Sequence, residues 1–348
     1  MIRVGLIGYG YWGPNLLRNF ALAPQFQVVA LAERKLESRH NASRNYSAVD
    51  VLEDASELIA RSDIDAVVIA TPLETHFTLT REALNRGKHV LVEKPISAST
   101  AEAEELVALA RRVDRVLMVD HTFLFTGAVR AIRDVAKSGA LGKICYFDSM
   151  RVNLGLFQPD VNCLWDLAPH DLSVIDYVLQ DEIVAVEASG YCHVNHNMPD
   201  MVYLTLHYAS DAIAHLNLSW MSPVKVRRFA IGGTRQMLIW DDLDHDQKIR
   251  IYNTGIEFHP DSERVTIIPQ YRIGDIYSPR VPQQEALAGV VEHFANVISG
   301  KERSIMDGES ALKVVRVLEQ AQKRLEASLA AVAARRESGH AIDRKTGT

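Results

Sequence analysis

The apolar run Val4–Ile7 leads directly into Gly8-Tyr9-Gly10-Tyr11-Trp12-Gly13, and this junction restricts the fold more than any other stretch of the chain. In a strand that ends in GxGxxG, the first glycine permits a tight turn and the second opens the backbone to close approach. The third lets the following helix pack tightly on the strand. Pro14 suits the first turn of that helix, where its missing N–H costs no intrahelical bond. A helix N-terminus so placed favours an anion such as a pyrophosphate. Glycine-rich turns are common, so the surrounding pattern has to decide. Through about residue 120, apolar runs at Gln27–Leu31, Ala66–Ala70, His89–Val92 and Val116–Val119 alternate with segments of helical spacing. Such alternation predicts repeated βα units and a parallel sheet. The clearest helix is Ala101–Arg112, where Ser99 and Glu102 form a capping box ahead of the stripe Leu106, Leu109, Ala110.

Within this α/β frame the turn reads as a dinucleotide site, with Gly8, Tyr9, Gly10, Tyr11, Trp12 and Gly13 around the phosphates. Glu33 stands at the end of the second strand, about 20 residues after the last glycine, where a carboxylate accepts from an adenosine ribose and favours NAD. Arg34 and Lys35 follow it and could instead pair with a 2′-phosphate, which leaves NADP open; a solvated helix start is their plainer reading.

After residue 120 an amphipathic helix near Ala128–Lys137 ends at Ser138-Gly139 and gives way to a strand over Ile144–Arg151. From Ile183 to about Ile276 period-two segments dominate, such as Val202–Tyr208 and Ile213–Leu218, as antiparallel strands with one buried face would produce. Two helices follow, near Gln284–Ser299 and from Gly308 to about Ala334. The organisation expected is a nucleotide-binding domain over 1–122, a second domain for substrate binding and oligomerisation over 123–335, with a last helix able to pack back on the first domain, and a polar tail over 336–348.

The 348 residues suit two domains, and 47% hydrophobic with 24% charged residues is the composition of a folded globular chain. A formal charge of −6 offers no excess of cations for nucleic acid or an anionic membrane. Cys145, Cys163 and Cys192 form no CxxC pair, which argues against a disulfide scaffold or thiolate zinc site and for a reducing cytoplasm. No signal-peptide pattern opens the chain, and no apolar run has transmembrane length.

Glu93-Lys94-Pro95 follows the run His89–Val92, at the carboxyl end of a strand, where open α/β sheets hold their ligands. An ammonium there can hydrogen-bond a substrate oxygen and stabilise alkoxide character as hydride moves at the adjacent carbon. In isolation, Glu-Lys at a strand end is more often a surface pair. The glycine turn, Ala70-Thr71-Pro72, His76 and Gly87-Lys88-His89-Val90-Leu91-Val92-Glu93-Lys94-Pro95 together resemble the Gfo/Idh/MocA oxidoreductases. The resemblance is strong over the first half and looser to the helix near Gly308. It implies an N-terminal Rossmann domain for NAD or NADP and a C-terminal α+β domain with an open, mainly antiparallel sheet for the substrate. It also implies that Lys94 lies beside the nicotinamide, that Thr71, Pro72, His76 and Glu93 line the cofactor cleft, and that the sheet packs against another subunit in a homodimer or homotetramer.

Family members carry Asp-x-x-x-His in the second domain, and this chain has Asp166-Leu167-Ala168-Pro169-His170. By resemblance His170 is the acid/base and Asp166 its companion, and imidazole chemistry agrees. A histidine merely capping or packing at a helix end is the alternative. The spacing places both on one helical face, but Pro169 suits only a first turn, so Asp166 is expected to precede the helix and reach back from the loop. Where many members have a glycine pair, this chain reads Asn162-Cys163-Leu164-Trp165, which alters the pocket. In and beside the loop that leads there, Arg151, Asn153, Gln158 and Asn162 are candidate substrate contacts, with a plain turn as the alternative.

Neither Cys192-His193-Val194-Asn195-His196 with Asp200 nor Asp241–Asp246 matches a zinc or calcium pattern, so no metal is expected, and the acidic run reads as a hairpin tip. The function expected is hydride transfer between nicotinamide and a sugar secondary alcohol or ketone. The stretch Asn153–Asp171 most resembles members acting on nucleotide-linked sugars, and C3 of a UDP-GlcNAc-like sugar is the specific expectation. A free sugar or inositol-type polyol is the alternative substrate; a non-catalytic sugar- and NAD-sensing protein is the alternative of another class.

Overall fold

The computed structural model describes residues 1–155, 157, 161–195, 198–257 and 270–346. Its contacts divide the chain into two compact units, Met1–Thr126 with Gln283–Arg316, and Gly127–Pro282 with Val317–Thr348.

In the first unit β1 (Ile2–Ile7), α1 (Gly13–Leu22), β2 (Phe26–Ala32), α2 (Leu36–Asn45), β3 (Asp50–Leu52), α3 (Ala55–Ala60), β4 (Ala66–Ile69), α4 (Leu73–Asn85), β5 (His89–Glu93), α5 (Thr100–Arg112) and β6 (Leu117–Asp120) alternate. The strands form one parallel sheet in the order β3-β2-β1-β4-β5-β6. Both β4 and β6 are buried along their whole length, as the apolar runs require. Sequence reading misses β3, because three residues headed by an aspartate carry no pattern. Ser99 caps α5 by accepting from the Glu102 amide, but the Glu102 carboxylate reaches the amide of Ala98 rather than that of Ser99. The chain runs outward through β1, β2 and β3, then returns to place β4 on the other side of β1. Ligand crevices form at the carboxyl ends of strands beside such a reversal.

A 3-10 turn (Thr122–Phe125) closes this stretch. The second unit opens with α6 (Gly127–Lys137), β7 (Ile144–Leu154) and α7 (Cys163–Leu179), followed by β8 (Ile183–Tyr191), β9 (Met201–Tyr208), β10 (Ile213–Ser219), β11 (Met221–Gly233), β12 (Met237–Asp241) and β13 (Ile249–Tyr252). The ribbon β14 (Gly255–Glu257) with β15 (Gln270–Arg272) precedes β16 (Ile276–Tyr277). Eight strands form an open sheet in the order β16-β13-β12-β11-β7-β10-β9-β8, antiparallel except where β7 meets β10. Along β9 the residues Val202, Leu204, Leu206 and Tyr208 are buried while Tyr203, Thr205 and His207 point to the other face. Helix α7 packs on β7, β9 and β10.

Helix α8 (Ala286–Ile298) belongs with the first unit, whereas sequence reading keeps it with the second. The reason is aromatic packing: the Phe294 ring lies 6.4 Å from that of Phe20 and 6.0 Å from that of Phe26, and Glu285 pairs with Arg18 of α1. Helix α9 (Gly308–Thr346) is counted with the first unit to Arg316 and with the second from Val317. It runs on through the segment expected to be a tail. Among the described residues no helix is long and apolar enough to cross a membrane.

Candidate functional site

The three glycines of the first turn have different jobs. Gly8 adopts φ +96°, and a Cβ there would lie 2.3 Å from the Ala70 carbonyl oxygen. A Cβ on Gly13 would lie 2.3 Å from the carbonyl oxygen of Gly8, whereas one on Gly10 would meet nothing within 4 Å. The first and third glycines are therefore demanded by the chain's own packing. Gly10 is demanded by nothing in the protein, and the space before it is the room a pyrophosphate needs. Helix α1 begins at Gly13 with no side-chain cap, which leaves its first N–H groups to an anion. Just past β2, Glu33 accepts from the Tyr9 amide at 2.6 Å and the Lys35 amide at 2.8 Å, tying the glycine turn to the start of α2. Each carboxylate oxygen keeps a further lone pair for a ribose hydroxyl. Arg34 is exposed, and the neighbouring Arg39 is spent on the carbonyls of Glu33 and Arg34 and on Glu53.

At the end of β4, the hydroxyl of Thr75 reaches Thr71 Oγ1 at 2.7 Å and the Pro72 carbonyl at 2.8 Å. His76 departs from expectation. It is only 1% exposed, with Nδ1 2.8 Å from the Pro95 carbonyl and Nε2 2.8 Å from that of Thr71. Its ring is a strut between the loops after β4 and β5, holding the crevice wall rather than lining it, because α4 turns this position inward.

β5 pairs with β6 so that Glu93 stands opposite Asp120. The Lys94 amide donates to Glu93 Oε2 at 3.3 Å, and the Lys94-Pro95 peptide is cis. Thr122 donates to Asp120 Oδ1 at 2.6 Å. Burial pushes the Glu93 carboxyl well above its ordinary value, and the nearby Asp120 adds to this. Burial likewise pushes Asp120 up to about 6, against hydrogen bonds from Thr122, the Trp12 side chain and Glu93 and the charge of Lys94. His121 is pushed down to about 4, by burial first and the Lys94 ammonium second, so it is neutral at ordinary pH. Sequence reading named Glu93, Lys94 and Trp12 but missed Asp120 and His121. The signal was present, since an acid and a histidine directly follow an apolar strand at its ligand-bearing end.

In the second unit, Asn162 caps α7 by accepting from the amides of Leu164 (3.0 Å) and Trp165 (3.2 Å) and donates to Gln322. Asp166 lies inside the first turn of the helix rather than ahead of it, and Pro169 sits within the helix. The proline removes the bond to the Trp165 carbonyl, yet Asp166 and His170 keep their four-residue spacing on one face. The Trp220 indole donates to Asp166 Oδ2 at 3.1 Å and fixes it. His170 is half-buried with Nδ1 sealed from solvent. With asparagine as its cap, α7 in an Asn162→Ala protein loses about 1 kcal/mol; an unchanged urea midpoint would show that the cap is dispensable.

The four candidate substrate contacts separate. Arg151 is 4% exposed, and its Nε donates to Asp171 Oδ1 at 2.6 Å while Ser149 donates to Asp171 Oδ2 at 2.5 Å, so its guanidinium is committed inside the unit. Asn162 is occupied as a cap. Asn153 is half-buried near the end of β7, donating to the Leu154 carbonyl at 3.2 Å. Gln158 lies outside the described residues. His193 pairs with buried Asp200 at 2.7 Å, which also accepts from the amides of His193 and Val194. Asp241–Asp246 forms the turn between β12 and β13.

Residues 2–121 match the family model described as the oxidoreductase family with an NAD-binding Rossmann fold, and residues 129–239 match that of the GFO/IDH/MocA C-terminal domain. YdgJ of Escherichia coli, an uncharacterised oxidoreductase, is 34% identical over 181 residues, covering 49% of this chain and 51% of that one. The UDP-N-acetylglucosamine 3-dehydrogenase of Acidithiobacillus ferrooxidans is 28% identical over 334 residues, 94% of this chain and 98% of that one. A crystal structure of an oxidoreductase from Magnetospirillum magnetotacticum superposes with a TM-score of 0.79 at 30% identity, covering 92% of this chain and 99% of the other.

Proposed function

Because this chain belongs to the Gfo/Idh/MocA family of NAD-binding oxidoreductases, we propose that it oxidises or reduces a secondary alcohol carbon of a nucleotide-linked sugar, at C3 of a UDP-GlcNAc-like substrate. One observation carries the substrate class: the similarity to the UDP-N-acetylglucosamine 3-dehydrogenase runs through 94% of this chain, so it includes the second domain and not only the cofactor domain. The open space at Gly10 and the placement of Glu33 support a dinucleotide with a free ribose hydroxyl, hence NAD.

When bound, the nicotinamide supplies the hydride acceptor or donor. In this reading Gly8, Tyr9, Gly10, Tyr11, Trp12 and Gly13 cradle the pyrophosphate, Glu33 accepts from the ribose, Thr71 and Pro72 border the ring, and Arg34 stays in solvent. Lys94 donates to the substrate oxygen and stabilises its developing charge. His170 takes the hydroxyl proton or returns it, and Asp166, held by Trp220, orients the substrate or the imidazole. Asn153 remains the substrate contact we retain from the loop after β7. A homo-oligomer in the cytoplasm completes the proposal.

Turnover assays with UDP-GlcNAc, a dTDP-sugar and myo-inositol, with NAD and with NADH, test it. Reduction of NAD by UDP-GlcNAc with kcat/KM well above that for inositol is expected. Faster turnover of inositol would replace the substrate class, and dinucleotide binding without turnover on any of them would favour a sensing protein.

A further inference from the structure

Two acids at the carboxyl edge of the first sheet, Glu93 half-buried and Asp120 buried, have no part in the steps above. Parallel pairing puts Glu93, the last residue of β5, opposite Asp120, the last of β6. Asp120 and the following His121 are each 2% exposed. Glu93 Oε1 and Asp120 Oδ2 are sealed from solvent, and among the described residues neither has a hydrogen-bond donor. Two ionised carboxylates cannot donate to one another, and adjacent negative charges out of water repel. A proton held between the acids supplies the missing donor and removes one of the charges. Burial raises the titration of both groups, and for Glu93 the neighbouring Asp120 adds to it. Among the described residues the charged group that acts on the pair is Lys94, and His121, next to Asp120 in the chain, is neutral; Trp12 of the glycine turn and Thr122 of the 3-10 turn bring only neutral donors.

We propose that Glu93 and Asp120 act as one acid pair that holds a single proton at neutral pH and releases it to solvent when a cationic nicotinamide is held beside Lys94, so that the advantage of NAD+ over NADH grows with pH. This rests on the cofactor placement proposed above. The positive ring favours the fully ionised pair, and the proton it displaces goes to water. The reduced ring is neutral and displaces none. Linkage fixes the sign: a ligand that prefers the deprotonated pair binds more tightly as pH rises through the pair's titration, and the gain is lost as pH falls through it. Glu93 and Asp120 are thus positioning residues that set the charge beside Lys94, not groups that touch the reacting carbon.

The test is calorimetric titration of the full chain with NAD+, NADH and ADP-ribose between about pH 5.5 and about pH 8.5, in two buffers of different ionisation enthalpy. In the wild-type protein the ratio Kd(NADH)/Kd(NAD+) is expected to rise about tenfold across this range, the effect of a one-unit displacement of the pair's titration. NAD+ should release a proton that NADH and ADP-ribose do not. Asp120→Asn and Glu93→Gln, which keep shape and hydrogen-bonding atoms but cannot ionise, should each flatten the ratio. A flat ratio in the wild-type protein, or an unchanged slope in both variants, overturns the inference. Gly10→Val separates the two levels. If it weakens binding of all three ligands while the wild-type ratio is flat, the cofactor site stands and the acid pair does not. If it leaves binding intact, the cofactor placement fails and takes the inference with it.

Discussion

With Lys94 replaced by alanine, kcat falls by roughly 10²–10³-fold, about 3–4 kcal/mol, the usual cost of removing a donor aimed at a developing oxyanion. The position makes the effect specific to turnover. Lys94 directly follows β5 at the sheet's ligand-bearing edge, and its amide donates to the Glu93 carboxylate. The main chain that carries the ammonium is thus held by a contact that the substitution leaves in place. Affinity for NAD should change far less than kcat, since the glycine turn and Glu33 are untouched. Lys94→Arg should not restore the rate, because a planar guanidinium cannot replace a compact ammonium as donor to one oxygen. Steady-state kinetics on the substrate identified by the turnover panel, with dinucleotide Kd by fluorescence, checks both parts. Wild-type kcat in Lys94→Ala would remove Lys94 from the chemistry.

The second large effect separates glycines that look alike in sequence. Gly10→Val should fold as the wild-type protein does, because a Cβ there meets no protein atom within 4 Å. It should nevertheless bind NAD about 100-fold more weakly, the cost of about two lost contacts to charged phosphate oxygens. Gly8→Val should instead lose stability, by more than about 2 kcal/mol from its left-handed backbone alone. The 2.3 Å approach to the Ala70 carbonyl adds to that loss. Thermal unfolding with and without NAD distinguishes them. A Gly10→Val protein that is stabilised by NAD as strongly as the wild type would place the dinucleotide elsewhere.

Much of the first unit was legible because its signals are local. Strand runs buried on both faces, the Ser99 cap and the spacing of Gly8, Gly10 and Gly13 depend on residues near one another in the chain. The switch to period two after residue 183 was legible for the same reason, whereas the Glu-Lys-Pro element stood out only by its resemblance to a family. The departures have different sources. β3 was too short to carry a pattern. His76 looks like a cleft residue until α4 turns it inward between two carbonyls. Arg151 looks like a free cation until β7 lays it against Asp171 of α7. Asn162 looks like a substrate amide, but the helix that starts after it claims its side chain.

By itself, then, the sequence determined the alternation of elements and the glycine turn with its acidic companion. Periodicity and turn chemistry act over a few residues and need no partner. Tertiary structure alone decided that Asp120 stands opposite Glu93, that α7 continues through Pro169 with Asp166 inside it, and that α8 packs with the first unit. Strand register and helix packing are settled by burial summed over distant segments, and a carboxyl's protonation is settled by the water those segments exclude.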